Sequence, residues 1–277
     1  MEKDILENKI AIIGAGHIGQ AFVEGFINSK KIKKPQIIVA SPNLEKLKNI
    51  KKQYGIVTTI DNKVAVENAD LIIICVKPLV VKHVLKEIDS IVTNKIILSV
   101  AAGITIKKLQ KLLGKKQKIV RLMPNLLVSQ NKGVIGFYCN NCLKLNEINW
   151  LLSLLSNLGN VIQVKKEEEM EILTLISGCG PAISAYFINL LLNYGKAKGI
   201  PFDESLNITL AIFDGTLSYL KAKNIEPKKL ISLVATKGGV TEEILQSFDE
   251  NDIRKIIFRS MNRGYVKIKS INNNVPF

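Results

Sequence analysis

Unbroken apolar runs recur along the first part of the chain, at Ile10–Ile13, Ile37–Ala40, Leu71–Val76, Ile96–Val100, Ile119–Met123, Val134–Tyr138 and Val161–Val164. Short runs without polar alternation predict strands covered on both faces. Helical periodicity fills segments between them, at Gln20–Asn28, Leu44–Tyr54, Val81–Ile91 and Ile106–Leu113. This alternation predicts a mostly parallel sheet with helices on both faces. Beyond Val164 the pattern becomes almost wholly helical. Pro181 opens a helix to about Lys198, and Pro201 with Asp203 opens another to about Lys223. Glu226–Ala235, Glu242–Phe248 and Asp252–Ile271 follow. The expectation is an α/β fold: a doubly wound sheet domain over 1–165, then an all-α domain over 166–277.

The helix over Ala182–Leu192 is apolar nearly all round, which predicts burial on every side. A domain of about a hundred residues encloses little core by itself. A second copy of the same helices would cover this one, so the helical part is expected to form an obligate dimer.

The first strand runs directly into Gly14-Ala15-Gly16-His17-Ile18-Gly19, ahead of a helix. Strand, glycine triplet and helix together make a dinucleotide-binding fingerprint of Rossmann type. Gly14 permits the tight turn, Gly16 lets the backbone approach a pyrophosphate, and Gly19 lets helix and strand pack closely. The pyrophosphate is expected on the amides and positive dipole at the helix start. An NAD site usually ends its second strand in Asp or Glu. Here that strand ends Ala40-Ser41-Pro42-Asn43, with no acid before Glu45. Ser41 and Asn43 can donate hydrogen bonds to a 2′-phosphate, with charge from Lys46 or Lys48. NADP(H) is therefore expected to be preferred, with NAD(H) tolerated. The same residues also fit an ordinary turn before a helix.

The chain has 277 residues, 47% of them hydrophobic, enough for one or two globular domains. No N-terminal leader pattern is present, and Ala182–Leu192 is short and interrupted by Asn189. A cytoplasmic protein with no membrane span is expected. The formal charge is +15, from 39 basic and 24 acidic residues. The lysines are spread along the chain rather than gathered in a stripe, so no nucleic-acid partner is expected. The field would still attract an anionic cofactor and substrate. Cys139 and Cys142 form a C-x-x-C, but no second pair completes a metal site, and none is expected. Asn140-Asn141 between them reads as a turn. Cys75 reads as a small core residue. His17 and His83 form no triad.

Two glycine clusters stand out in the helical part. Ser177-Gly178-Cys179-Gly180-Pro181 reads as a break before the long helix. In Thr236-Lys237-Gly238-Gly239-Val240-Thr241-Glu242-Glu243, the glycines free the backbone for an amide-lined loop at a helix start. That loop suits a small carboxylate. Thr241 adds a hydroxyl at its mouth, and by position alone also fits an N-cap. In the sheet part, Val76-Lys77-Pro78, Ala101-Ala102-Gly103 and Met123-Pro124-Asn125 follow strands and shape a crevice over a cofactor.

Gly14-Ala15-Gly16, Val76-Lys77-Pro78, Ala101-Ala102-Gly103-Ile104-Thr105, Met123-Pro124-Asn125, Ser177-Gly178-Cys179-Gly180-Pro181-Ala182 and Gly238-Gly239-Val240-Thr241 occur in order and spacing. In this the chain resembles the pyrroline-5-carboxylate reductases from Lys9 to about Ser270. The resemblance implies NAD(P)H-dependent reduction of the cyclic imine 1-pyrroline-5-carboxylate to L-proline. It implies a helical domain interlocked with a second subunit, as in a family where some members form rings of dimers. It implies cofactor roles for Gly14, Gly16, His17, Ile18, Gly19, Ser41, Asn43, Asn62, Val76, Lys77, Pro78 and Ala102, with Asn125 at the nicotinamide pocket. It implies substrate roles for Glu167, Gly239, Val240 and Thr241, the Thr241 hydroxyl bonding the ring nitrogen. The chain departs from the family pattern at Thr236-Lys237, where Ser-Pro is usual, at Cys179, at Leu126-Leu127 and at Leu233. These departures keep two alternatives open: reduction of another cyclic imino acid such as pyrroline-2-carboxylate, or an NADP-binding accessory protein with weak activity.

Overall fold

The computed structural model describes residues 8–274, so the outer ends of the two expected domains, 1–7 and 275–277, lie outside the described residues. Eight strands form one sheet: β1 (Ile10–Ile13), β2 (Ile37–Ala40), β3 (Val57–Thr59), β4 (Leu71–Ile74), β5 (Ile96–Ser99), β6 (Lys118–Met123), β7 (Gly133–Cys139) and β8 (Gly159–Gln163). Their spatial order is β3-β2-β1-β4-β5-β6-β7-β8. Every pairing is parallel except β6 with β7. The first six follow the order of doubly wound dinucleotide folds, with the order of strand addition reversing between β1 and β4.

β-Branched isoleucines suit these strands because they pack well on a pleated surface. β1, β2, β4 and β5 are buried along their whole length. Alternate residues serve opposite faces: Ile10 and Ile12 enter one core, Ala11 and Ile13 the other. Six helices close these cores: α1 (His17–Asn28), α2 (Leu44–Tyr54), α3 (Asn62–Glu67), α4 (Pro78–Ile88), α5 (Ile106–Leu113) and α6 (Leu145–Ser156). Phe22 and Phe26 of α1, Leu47 of α2 and Leu151 and Leu155 of α6 fill the first core. Val66 of α3, Val81, Leu85 and Ile88 of α4 and Leu109 of α5 fill the second. Burying each such side chain is worth about 1.5–3 kcal/mol.

Three elements exceed the sequence expectation. β3 has one strongly apolar residue, Val57, and lies at the sheet edge. α3 is six residues long. α6 is a full amphipathic helix between two strands. α4 begins at Pro78 rather than Val81, because proline is favoured in a helix's first turn, where its missing N–H costs nothing.

From Glu169 the backbone stays helical. α7 (Glu169–Leu173) passes through a wide π-type turn, Thr174–Gly178, into α8 (Gly180–Ala197). The expected break at Ser177–Pro181 is therefore a widened turn inside one helical run. That run, Glu169–Ala197, has 29 residues and is long and apolar enough to cross a membrane by length and composition. The expectation of a stretch too short to span counted only its apolar middle. α9 (Phe202–Lys223), α10 (Pro227–Val234), α11 (Val240–Glu250) and α12 (Ile253–Asn274) complete the chain.

The chain divides into two compact units, Met1–Pro181 with Tyr265–Phe277, and Ala182–Gly264. The sheet unit thus takes in residues 166–181 and the end of α12. Within the helical unit, α8 and α9 approach closely at Gly195, where Ser205 Oγ donates to Leu192 O at 2.8 Å. Leu192 is that unit's one buried hydrophobic residue among the described residues.

Candidate active site

The three fingerprint glycines do three different things. Gly14 has φ +113°, and a side-chain carbon there would lie 2.7 Å from Cys75 O. At Gly19 it would collide with the Gly14 carbonyl oxygen, so α1 packs against the turn only with glycine in place. At Gly16 it would meet nothing within 4 Å, which leaves the backbone open to a ligand. Gly16 is the N-cap of α1 and supplies no side-chain acceptor, so no capping side chain occupies the amides of the first turn. The turn is braced by Gln20 Nε2 donating to Ala15 O at 2.9 Å. His17 and Ile18 are the first two residues of α1. This cradle fits a pyrophosphate.

Ser41 follows β2, is buried, and its amide donates to Thr59 O at 3.2 Å. Its hydroxyl accepts from Asn43 N at 3.3 Å. Asn43 caps α2, its Oδ1 accepting from Lys46 N at 2.9 Å. The turn reading of Ser41 and Asn43 thus holds, and the exposed Asn43 amide nitrogen stays available to a ligand. Asn62 opens α3 beside the end of β3, and its Nδ2 donates to Glu87 Oε2 at 2.6 Å. Glu87 in turn pairs with His83 at 2.9 Å.

Val76, Lys77 and Pro78 lead from β4 into α4. Val76 lies against Gly14, and Lys77 is exposed as the helix cap. Burial pushes the Cys75 thiol above its ordinary range, and does the same more mildly at Cys139. Both favour an inert thiol. Ala102 lies in the loop after β5, whose Gly103 has φ +77°. Asn125 is 5% exposed and fully engaged: Nδ2 donates to Ser177 O at 3.2 Å, and Oδ1 accepts from Leu127 N at 3.2 Å and Val134 N at 3.4 Å. It binds the end of β6 to β7 and to the wide turn.

Glu167 belongs to the sheet unit. Its Oε1 accepts from Arg121 Nη1 and from Ile106 N, each at 2.7 Å. The carboxylate therefore caps α5 and pairs with an arginine whose side chain is 6% exposed. Burial and the carboxylates of Glu167 and Glu168 raise the Tyr138 phenol. Arg121 was not singled out in the sequence, although an arginine inside the apolar run Ile119–Met123 is a signal of a buried partner. Among the described residues, no three His, Cys, Asp or Glu side chains converge as a metal site.

Gly239, Val240 and Thr241 lie in the helical unit. Gly238 has φ +74°, its amide donates to Glu242 Oε2 at 2.6 Å, and Gly239 N donates to Thr236 O at 2.9 Å. Gly239, not Thr241, is the N-cap of α11. Thr241 is the second helical residue, and its hydroxyl bonds to no described residue. Val240 is 79% exposed. The loop therefore presents first-turn amides and a free hydroxyl side by side.

Two family models match the chain. One, described as NADP oxidoreductase coenzyme F420-dependent, covers residues 9–103. The other, pyrroline-5-carboxylate reductase dimerisation, covers residues 167–271. The chain is 33% identical over 271 residues to a pyrroline-5-carboxylate reductase of Aquifex aeolicus, spanning 98% of this chain and 100% of that one. The fold is similar to a crystal structure of a Plasmodium falciparum pyrroline carboxylate reductase with NADP bound. That match has a TM-score of 0.90 and 26% identity, covering 97% of this chain and 100% of the other. A Coxiella burnetii pyrroline-5-carboxylate reductase gives a TM-score of 0.86 at 26% identity, over 96% and 98% of the two chains. The glycine turn, the helical half and this end-to-end likeness lead to one conclusion: the chain belongs to the pyrroline-5-carboxylate reductase family.

Proposed function

We propose that this protein is an NAD(P)H-dependent oxidoreductase that reduces 1-pyrroline-5-carboxylate to L-proline. The observation that carries the reading is the free Thr241 hydroxyl beside unbonded first-turn amides, in a chain matched along its length by such reductases. Residues 1–165 serve as the cofactor domain and 166–277 as the dimerisation and substrate domain, a reading supported by the separate family models over 9–103 and 167–271.

The bound dinucleotide supplies the hydride. The open backbone at Gly16 and the amides of His17 and Ile18 hold its pyrophosphate, while Gly14 and Gly19 keep the turn tight enough to do so. Ser41, Asn43 and Asn62 take the adenosine end. The absence of an acid between Ala40 and Asn43 favours NADPH over NADH, because no carboxylate there repels a 2′-phosphate. Val76, Lys77, Pro78 and Ala102 border the nicotinamide end. Asn125 acts there by holding the end of β6 in place.

Amides of Val240 and Thr241 bind the substrate carboxylate, using the positive end of α11, while Gly239, its own amide tied to Thr236 O, lets the backbone approach the ligand. The Thr241 hydroxyl oxygen accepts the N–H of the protonated ring nitrogen and so keeps the proton there. An iminium carbon accepts hydride more readily than a neutral imine carbon, so a hydrogen bond that keeps the nitrogen protonated favours the reactive form. Glu167 supports the substrate side through its tie to Arg121 and α5. The protein works as a homodimer whose site joins the cofactor turn of one chain to the Thr241 loop of its mate.

Oxidation of NADPH in the presence of pyrroline-5-carboxylate tests the reading. Turnover is expected, with kcat/KM higher than for pyrroline-2-carboxylate and its six-membered relative. Pure, folded, NADPH-binding protein that turns over none of them would overturn it. The departures at Leu126, Leu127 and Leu233, all exposed, make the comparison between imines worth running.

A further inference from the structure

The last turns of α12 end on a second group of polar side chains, of which Glu171 is buried. Asn272 Nδ2 donates to Glu171 Oε1 at 2.7 Å, and Glu171 is 4% exposed. The Asn272 carbonyl accepts from Lys108 Nζ of α5, which satisfies a helix C-terminal acceptor. Lys269 Nζ lies 3.6 Å from Glu171 Oε2. Ile271 packs on the second core.

This helix end also presses on the loop after β5. A side-chain carbon at Gly103 would lie 2.5 Å from Asn272 Oδ1 and 2.9 Å from Ile271 Cγ2. With φ at +77°, Gly103 is required twice over, by conformation and by the docked helix. On its other side the same loop runs into α5, whose first amide is held by Glu167 and, through it, Arg121. Residues Ala101–Thr105 thus lie between Asn272, which is bonded to Glu171 and packs on Gly103, and Ile106, whose amide Glu167 holds.

Among the described residues, two buried side-chain atoms lack a short hydrogen bond, Glu171 Oε2, which has only the Lys269 ammonium at 3.6 Å, and Asn272 Oδ1, and both belong to this pair. Buried polar groups held only for stability are normally satisfied, and an apolar pair of similar shape would cost less. Local rules are broken where function imposes a constraint. The nearest candidate function is at Ala102, one residue from Gly103.

The geometry points to Asn272, oriented by Glu171, as a positioning residue that holds the Ala101–Gly103 loop in the form that receives the nicotinamide half of the cofactor. This rests on the nicotinamide-dependent reading above.

The test uses full-length protein and begins by measuring NADPH binding to wild type. No binding there overturns the cofactor reading itself. Given binding, Asn272→Ala is expected to raise the KM for NADPH at least fivefold while moving the KM for the imine less than twofold. Asn272→Asp sets a carboxylate against Glu171 and should be worse. Combining it with Glu171→Gln reverses donor and acceptor, and should recover most of the NADPH affinity. Unchanged NADPH KM in folded Asn272→Ala and Asn272→Asp, or a loss the double variant does not recover, would overturn the proposal. Where a variant fails to fold, hydrogen exchange of wild type decides. Amides 101–105 and 265–272 should gain protection together when NADPH binds, and independent behaviour would count against the pair.

Discussion

The sheet unit and the helical unit treat their apolar residues in opposite ways. In the sheet unit, Phe22, Phe26, Phe137 and the strand isoleucines are sealed from solvent within a single chain. In the helical unit, Tyr186 is 61% exposed, Leu191 52%, Ile212 59% and Phe258 62%. Both sequences are comparably apolar, so composition does not separate them. What differs is geometry. A parallel sheet offers two broad faces that its own crossover helices cover. A layer of helices without a sheet has no such face, and its apolar stripes need a second layer. A family model described as pyrroline-5-carboxylate reductase dimerisation matches residues 167–271, and in the homodimer proposed above that layer comes from a second chain. The sheet unit is therefore a fold in itself, whereas the helical unit, on the homodimer proposal, is half of one.

Charging the open faces should break this contrast most severely. Leu191→Asp with Phe258→Asp leaves each carboxylate in water while the chain is alone, but buries it in a dimer at a cost of several kcal/mol. Sedimentation should show monomers, and activity should fall at least about a hundredfold if the site needs two chains. An active monomer would show that the helical unit needs no partner. Next comes the sheet unit's own weak point. Gly19→Ala drives a methyl group into the Gly14 carbonyl and should cost about 1–3 kcal/mol of stability along with cofactor binding. Calorimetry with an NADPH titration measures both. Retained binding would mean the turn tolerates a looser α1.

Thr241→Ala sharpens the contrast from the helical side. Because Gly239 caps α11, this change removes no cap, so Tm should stay within a few degrees while kcat falls about tenfold or more. A stability loss with unaltered kinetics would make Thr241 a structural residue. Ser41→Asp should move preference from NADPH toward NADH by about 1 kcal/mol, roughly fivefold in the ratio of Kd values. Wild-type protein that binds NADH more tightly would refute the assignment of Ser41. The smallest effect is electrostatic. Glu147 of α6 accepts from Lys118 of β6 at 2.5 Å. Burial alone would raise its carboxyl, but the hydrogen bonds and charges of Lys118 and Lys144 outweigh it and hold it below the ordinary value of 4.5. A depressed folded-state pKa gives stability that is present above the unfolded value and lost as pH falls through the folded one. Glu147→Gln should therefore cost about 1 kcal/mol or less at neutral pH, with the gap to wild type closing below about pH 4. Urea melts at the two pH values check it.

Much of the sheet unit is legible because its signals are local. Ile10–Ile13 and Leu71–Ile74 announce themselves as strands, and Gly14, Gly16 and Gly19 each need glycine for a reason visible within a few residues. The roles of the charged groups are not local. Arg121 meets Glu167 across 46 positions, and Asn272 meets Glu171 across 101. No periodicity links them. β3 escaped notice because a short edge strand needs little apolar surface, and the break read at Ser177–Pro181 failed because a wide helical turn accommodates glycines that would end a tighter one.

The amino-acid sequence by itself determined the alternation of strand and helix, the dinucleotide turn and the helical character of the second half. These follow from hydrophobic period and from the backbone freedom of particular glycines, which act over a turn or two. Tertiary structure alone decided which carboxylates are occupied, that Gly239 rather than Thr241 caps α11, and that the end of α12 rests on Gly103. Those outcomes depend on which distant side chains arrive at one place, and burial then makes each meeting or missed meeting of polar groups count.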